Sequence, residues 1–136
     1  MPARSPRSEH KTSVLISPRS PDDTYSHSQI INHVRSGVAS NPNACFILEG
    51  YSQGAAATVN ALQSLTGTSF SAVKGVFLIG DPNHKPGLAC NVDANGGTTT
   101  KNVAGLSAAL SAGIPSNWVS KTLDVCAFVS TLLSSD

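Results

Sequence analysis

The chain has 136 residues and a mass of 14.0 kDa, the size of one domain, and 40% of its residues are hydrophobic, enough for a modest core. Nine Lys and Arg residues against eight Asp and Glu residues give a formal net charge of +1, and the charged fraction of 12% is about half the usual share. This composition gives no reason to expect nucleic acid or an anionic membrane as a partner, and no stretch reaches the roughly 20 apolar residues of a membrane span.

The N-terminal segment, residues 1–24, combines four basic residues with prolines and serines and has one short apolar run at 14–16. This composition predicts a mobile, unpacked tail, with a basic targeting arm as the functional alternative. The segment lacks the apolar stretch of a secretory signal. A single domain is therefore predicted over residues 25–136.

The first predicted helix begins near Ser26. Apolar residues recur at positions 30, 31, 34 and 38, which is helical spacing, and Gly37 and the Asn-Pro pair at 41–42 close the segment. The pattern predicts an amphipathic helix that covers a sheet.

Two apolar strands follow, with a helix between them. Residues 45–48 are a short apolar run before a turn glycine, and residues 73–79 are a second run. Between them a helix after Ser52 places Ala56, Val59, Leu62 and Leu65 on one face and ends near Gly67. Strand, helix and strand over this length predict a right-handed crossover, a parallel sheet and the α/β class.

The remaining chain begins with a long polar loop, residues 81–102, a length that favours a functional loop or one tied by a disulfide. A short helix near 106–110 and a strand over 122–129 are predicted after it. Cys45, Cys90 and Cys126 make an odd count. A Cys45–Cys90 bridge is possible but disfavoured, because Cys45 lies within a predicted core strand.

The sequence Gly50-Tyr51-Ser52-Gln53-Gly54 has the G-x-S-x-G pattern of a nucleophile elbow. A serine hydroxyl needs exposure at a sharp strand-to-helix turn, and glycines beside it remove side chains that would collide. Ser52 is therefore the candidate catalytic nucleophile, and the backbone N–H of Gln53 is the candidate oxyanion-hole donor. The alternative is a glycine-flanked turn whose serine only caps the helix.

A catalytic triad would also need an acid and a base after Ser52. His84 is the only histidine in that part of the chain, and Asp81, at the end of a predicted strand, is close before it. The two lie one turn apart in sequence, too near to approach Ser52 as separate supports. They are interpreted as satisfied polar groups of a strand-end turn, with acid and base roles as the alternative.

Three segments resemble the fungal cutinase family, especially its cutinase-like and acetylxylan-esterase-like members. They are GYSQGA (50–55), VKGVFLIGDPNHKPGLACNVDANGGTTTKN (73–102) and GIPSNWVSKTLDVC (113–126). The resemblance implies a secreted, monomeric α/β hydrolase with a three-layer sandwich, which forms an acyl-enzyme with esters of cutin, short-chain lipids or acetylated polysaccharide. It matches Ser52 to the family nucleophile and Gln53 to its oxyanion donor, and it places Asp81 and His84 outside the family triad. No metal or organic cofactor is implied.

The sequence departs from the family after Cys126, where the family carries its catalytic Asp and His. Asp124 and Asp136 do not fit the spacing of that Asp, and the family's first strands have no counterpart before Ser26. A partial hydrolase domain with impaired esterase activity is therefore expected. The alternatives are a catalytically dead hydrolase fold that binds a wax, a glycan or a protein, and a chain that never folds stably.

Overall fold

The computed structural model describes residues 11–16 and 23–127. Five strands and three α-helices alternate along most of this length, and two short 3₁₀ helices, Ala108–Leu110 and Ser116–Lys121, precede the last strand. The elements are β1 (Lys11–Ile16), α1 (Asp23–Ser40), β2 (Cys45–Tyr51), α2 (Gln53–Leu62), α3 (Thr68–Ala72), β3 (Val73–Ile79), β4 (Asn91–Val92) and β5 (Thr122–Val125).

The strands form one sheet in the order β1-β2-β3-β5-β4, and every neighbouring pair is parallel. The predicted α/β class with a parallel central sheet is confirmed. Because the strands are parallel, the carboxyl ends of β2, β3 and β5 meet at one edge. Tyr51 lies opposite Ile79, and Ile79 lies opposite Val125.

Strand β1 lies inside the segment 1–24 that was predicted to be an unpacked tail. Residues 11–16 pair with β2 over its length, from Lys11 opposite Cys45 to Ile16 opposite Gly50. The tail prediction therefore does not hold for these six residues. Composition indicates whether a segment can form a core of its own. It carries no information about strand edges elsewhere in the chain, whose free backbone groups can form hydrogen bonds with that segment.

The core lies between the sheet and helices α1 and α2. The predicted apolar stripe of α1 is buried at Ile30 and Val34, and the predicted face of α2 is buried at Val59 and Leu62. Both faces join one cluster with alternate side chains of β2 and β3. On the opposite face of the sheet, Phe77 and Leu123 pair in register and remain 37% and 41% exposed, so the described residues leave that face partly open.

The amino ends of β3 and β5 are joined by an aromatic pair. The Phe70 and Trp118 rings meet edge to face with centroids 4.7 Å apart. Lys121 Nζ lies 3.6 Å from the centre of the Phe70 ring and donates to the carbonyl oxygens of Phe70 and Val73. The sequence did not indicate this contact, because its partners come from segments far apart in the chain.

Hydrogen bonds, rather than a disulfide, hold the long loop at 81–102. Asn91 Nδ2 donates to the Lys85 and Lys101 carbonyls, and Thr100 Oγ1 donates to the Cys126 carbonyl at 2.5 Å. The structure joins none of the three cysteines in a disulfide. The loop contains β4, which pairs with β5.

Strand β5 begins where it was predicted but ends at Val125, and positions 128 and 129 of the predicted strand lie outside the described residues. None of the helices in residues 23–127 is long and apolar enough to cross a bilayer.

Candidate active site

Ser52 occupies the sharp turn between β2 and α2. Its φ of 57° and ψ of −119° make it the one non-glycine residue with positive φ in the described part of the chain. Such a conformation costs on the order of 1–3 kcal/mol and persists only where the surroundings enforce it. The Ser52 N–H donates to the Ile79 carbonyl at 2.9 Å, and the Ser52 carbonyl accepts from the Ala55 and Ala56 N–H groups.

Helix α2 begins at Gln53, immediately after the serine. The N–H of a first helical residue has no acceptor within its own helix, and it lies at the positive end of the helix dipole. Gln53, the predicted oxyanion donor, is thus the first residue of the helix, and its role stays a prediction. Ser52 is itself only partly buried.

Gly50 allows β2 and α2 to approach each other. A Cβ atom at Gly50 would lie 2.7 Å from Ala55 Cα and 2.8 Å from the Gly54 carbonyl oxygen, and both of these are backbone atoms. Backbone atoms cannot move aside as the end of a flexible side chain can. The close approach of the strand and the helix therefore requires glycine at this position.

We expect Gly50→Ala to lower the free energy of unfolding by about 1–3 kcal/mol, because the helix must move away from the strand. Chemical denaturation measures the change. Gly75→Ala on β3 is the matched control, because its Cβ would meet no atom nearer than 3.9 Å. Equal stability of the two variants would contradict close packing at Gly50.

A pocket of about 260 Å³ lies beside Ser52 at the carboxyl edge of the sheet. Tyr51 and Leu106 form an apolar part of its lining and are 55% and 69% exposed. The lining residues are Tyr51, Ser52, Gly80, Asp81, Pro82, His84, Val103, Gly105, Leu106 and Cys126. The structure thus brings Ser52, Asp81 and His84 to one pocket.

His84 pairs with Asp124, not with Asp81. His84 Nδ1 lies 2.8 Å from Asp124 Oδ2, and the two side chains are 1% and 0% exposed. Burial by itself would lower the pKa of His84, but the close Asp124 carboxylate raises it above its ordinary value of 6.5, and the Thr100 carbonyl and Asp81 act in the same direction.

The charge state of His84 decides what it can do for Ser52. Nδ1 lies 2.8 Å from Asp124 Oδ2, whose charge favours the imidazolium form, and Nε2 is buried with no hydrogen-bond partner in the structure. An imidazolium has no lone pair with which to accept the serine proton. The Nδ1 contact joins the turn at residues 81–84 to β5, whereas the interpretation of His84 as a satisfied polar group does not hold for Nε2.

Asp81 begins that turn and is 5% exposed. Its Oδ1 accepts a hydrogen bond from the Asn83 N–H at 2.9 Å, whereas its Oδ2 is buried and has no hydrogen-bond partner in the structure. Burial raises the pKa of Asp81 from 3.8 to about 7, and the negative charge of Asp124 adds to this effect. The Asn83 hydrogen bond and the charge of His84 oppose the rise.

Asp124 is the member of the site that the sequence interpretation missed. It was considered only as a catalytic acid and set aside on spacing. The available signal was its place in the strand sequence TLDV, where Thr122 and Asp124 share the buried face. A charged residue at an inward position of an apolar strand requires a buried partner.

The described residues near the pocket favour neither metal-ion chemistry nor thiolate chemistry. Within residues 11–16 and 23–127, no three His, Cys, Asp or Glu side chains are arranged to hold a metal ion. Cys90 is buried, and burial raises the pKa of its thiol to about 11, which disfavours the reactive thiolate.

A family model and several solved structures match this chain. The family model Cutinase matches residues 18–130. A cutinase-like protein from Cryptococcus sp. has 63% sequence identity and a TM-score of 0.76, over 78% of this chain and 53% of that chain. The catalytic core domain of acetyl xylan esterase from Trichoderma reesei has 25% identity and a TM-score of 0.57, over 77% of this chain and 54% of that one. The chain thus spans about half the length of these solved structures. No match was found among curated proteins.

Proposed function

Because this chain belongs to the cutinase family, we propose that it is a serine carboxylic ester hydrolase in which Ser52 is the nucleophile. The observation that carries the proposal is the strained backbone of Ser52 between β2 and α2, beside a pocket. A serine that only capped a helix would need no positive φ, and Ser52 makes no side-chain cap hydrogen bond to α2.

The chemistry proceeds through an acyl-enzyme. The Ser52 Oγ bonds to the ester carbonyl carbon, and the carbonyl oxygen becomes an oxyanion that the Gln53 N–H stabilises. The bond to the alcohol oxygen then breaks, and the alcohol leaves with the proton that came from the serine. Water hydrolyses the acyl-serine to a carboxylic acid and restores the hydroxyl.

The pocket favours esters with a short acyl group. Its volume of about 260 Å³ is just below the usual range of ligand pockets, and the exposed Tyr51 and Leu106 offer apolar contact in its lining. Within this class, the proposed substrates are cutin, short-chain lipid esters and acetylated polysaccharide. We also propose an extracellular monomer, which the low charged fraction and the family membership support.

Turnover by the 136-residue chain is proposed to be weak, because the described residues supply no free base to Ser52. His84 is paired with Asp124, and His27 and His33, the other two histidines among the described residues, lie on α1 and are not in the pocket lining. A triad serine without its base retains roughly a thousandfold over water, from the oxyanion hole and substrate binding.

Two measurements on the 136-residue chain test the proposal. Because no described base activates the serine, we expect an activated alkyl p-nitrophenyl phosphonate in excess to label one residue slowly, identified as Ser52 by peptide mass spectrometry after long incubation, and Ser52→Ala to abolish the label. Ser71→Ala is the control, because Ser71 is exposed in α3, away from the pocket. A phosphonate adduct on any other residue, or none, would contradict the role of Ser52.

Hydrolysis of p-nitrophenyl butyrate tests the competence of the chain. We expect a rate close to that of Ser52→Ala, since no described base activates the serine. Turnover far above that of the variant would show that a base reaches Ser52 and would refute the proposed weakness. Binding of cutin or xylan without hydrolysis would favour the second candidate function, a hydrolase fold that binds its ligand without cleaving it. The pairing of His84 with Asp124 supports this second candidate.

A further inference from the structure

The loop before the first 3₁₀ helix forms one side of the pocket that contains the nucleophile, and Leu106 belongs to this side. The Gly105 N–H donates to the His84 carbonyl at 2.9 Å, and the Ser107 N–H donates to the Pro82 carbonyl at 2.8 Å. Because these two bonds lie on either side of Leu106 in the chain, they fix its backbone against the turn that carries Pro82 and His84.

The loop also touches that turn directly at Gly105. A Cβ atom at Gly105 would lie 2.7 Å from the carbonyl carbon of Pro82 and nearer still to its oxygen, and both of these are backbone atoms. Beyond Leu106, the Nζ of Lys85 donates to the carbonyl of Ala108. The loop is therefore anchored on both sides of Leu106 by contacts that do not involve the leucine side chain.

The Leu106 side chain is exposed although its backbone is fixed. It is 69% exposed and lines the pocket, whereas Leu110, at the end of the 3₁₀ helix, is 90% exposed and is not in the lining. A single exposed leucine on a protein surface needs no explanation. An exposed leucine that is held beside a nucleophile can contact a bound ligand, and little further ordering of the loop is needed for that contact.

The accessible part of the pocket lining is largely apolar. Asp81 and His84 are almost fully buried, whereas Tyr51 and Leu106 are exposed. A ligand beside Ser52 therefore meets apolar surface, and each methylene group buried against it stabilises the complex. An alkyl chain suits this lining better than a sugar ring does, because the hydroxyl groups of a sugar need hydrogen-bond partners when they leave water.

We propose that Leu106 is a specificity-determining residue of this pocket, which contacts the alkyl chain of the bound ester and makes longer acyl groups, such as butyryl or hexanoyl, bind more tightly than acetyl. That the ligand is an ester rests on the proposed function, whereas the preference for an alkyl chain rests on the lining itself. The consequence is a ranking among the proposed substrates, with short-chain lipid esters above acetylated polysaccharide.

The test compares 2-butanone with 2-hexanone, which have a carbonyl group but no bond for Ser52 to hydrolyse. Their dissociation constants for the full 136-residue chain are measured by NMR titration. One fully buried methylene group is worth about fourfold in affinity, so we expect 2-hexanone to bind about four- to fifteenfold more tightly than 2-butanone. In Leu106→Ala we expect this ratio to fall by about threefold or more. In the wild type, 2-hexanone should shift the methyl signals of Leu106.

Two further variants make the test specific. Leu110→Ala should keep the wild-type ratio, because Leu110 is not in the pocket lining. Leu106→Met should keep it as well, since methionine restores an apolar contact of similar volume. The NMR spectrum of each variant reports whether it is folded.

Four outcomes would overturn the proposal: no preference of the wild type for 2-hexanone, unshifted Leu106 methyl signals, an unchanged ratio in a folded Leu106→Ala variant, or an equal loss in Leu110→Ala. Phosphonate labelling reports on Ser52 separately. An unlabelled serine with a normal ketone preference would reject only the catalytic proposal, and a labelled serine without that preference would reject only the role of Leu106.

Discussion

Replacing Asp124 by Asn is expected to lower the free energy of unfolding by about 3–5 kcal/mol, because it breaks a buried ion pair and leaves the other charge inside the protein. His84 Nδ1 lies 2.8 Å from Asp124 Oδ2, and both side chains are almost fully buried. Urea denaturation at pH 6 measures the change. The contribution of the pair is fully present below pH 6.5 and is lost as the pH rises through the raised pKa of His84, so pH 6 lies inside the window.

Glu49→Gln is the matched control for removing a carboxylate charge. Glu49 is half-buried on β2, and its variant is expected to change stability by no more than about 0.5 kcal/mol. The double variant His84→Gln with Asp124→Asn should lose less free energy of unfolding than the summed losses of the two single variants, and the difference should be about 1–3 kcal/mol. Additive losses, or an Asp124→Asn variant as stable as Glu49→Gln, would show that the two groups do not form an ion pair.

Asp81 is expected to make the protein less stable as the pH rises from about 4 to about 7. In the unfolded chain Asp81 ionises near pH 3.8, whereas the folded protein keeps the proton until about pH 7. Within this window the folded state binds one more proton than the unfolded state, so the free energy of unfolding falls with increasing pH. At roughly 1.4 kcal/mol per pH unit, the loss is about 4 kcal/mol.

Asp81→Asn should remove this part of the pH dependence, because the amide resembles the protonated acid and cannot ionise. The variant should match the wild type at pH 4 and be more stable above pH 7, as measured by denaturation between pH 4 and pH 8. The groups that face Asp81 are Asp124 from β5, His84 from the same turn and Cys90 from the loop before β4. Parallel curves for the wild type and the variant would contradict a protonated Asp81.

Asp93 supplies an internal control of opposite sign. It is partly exposed, and hydrogen bonds from the Thr99 hydroxyl and from the backbone of Gly97 and Asn95 lower its pKa to about 2. Its contribution to stability is present above pH 3.8 and is lost as the pH falls through about 2. Asp93→Asn should therefore destabilise the protein at pH 7, where Asp81→Asn stabilises it.

Much of the fold could be predicted from local pattern. The spacing of apolar residues predicts helix α1, the crossover from β2 through α2 to β3 and the parallel arrangement of the strands. It can do so because apolar residues recur with different periods along a buried helix face and along a buried strand. Strand β1 could not be predicted in this way. Its place depends on the free edge of β2, which is formed by residues far along the chain.

The sequence by itself determined the elbow at Ser52. The strand, the turn and the helix are consecutive, and the glycine that lets them approach is two residues away, so the close packing of strand against helix at the turn is local, and the Ile79 carbonyl adds one distant hydrogen bond to the Ser52 N–H. Only the tertiary structure decided the charges around it. His84 and Asp124 are 40 positions apart in the chain, and they meet because β3 and β5 are neighbours in the sheet. Whether Asp81 or His84 holds a proton depends on burial and on the charges nearby, and these quantities exist only once distant segments have packed together.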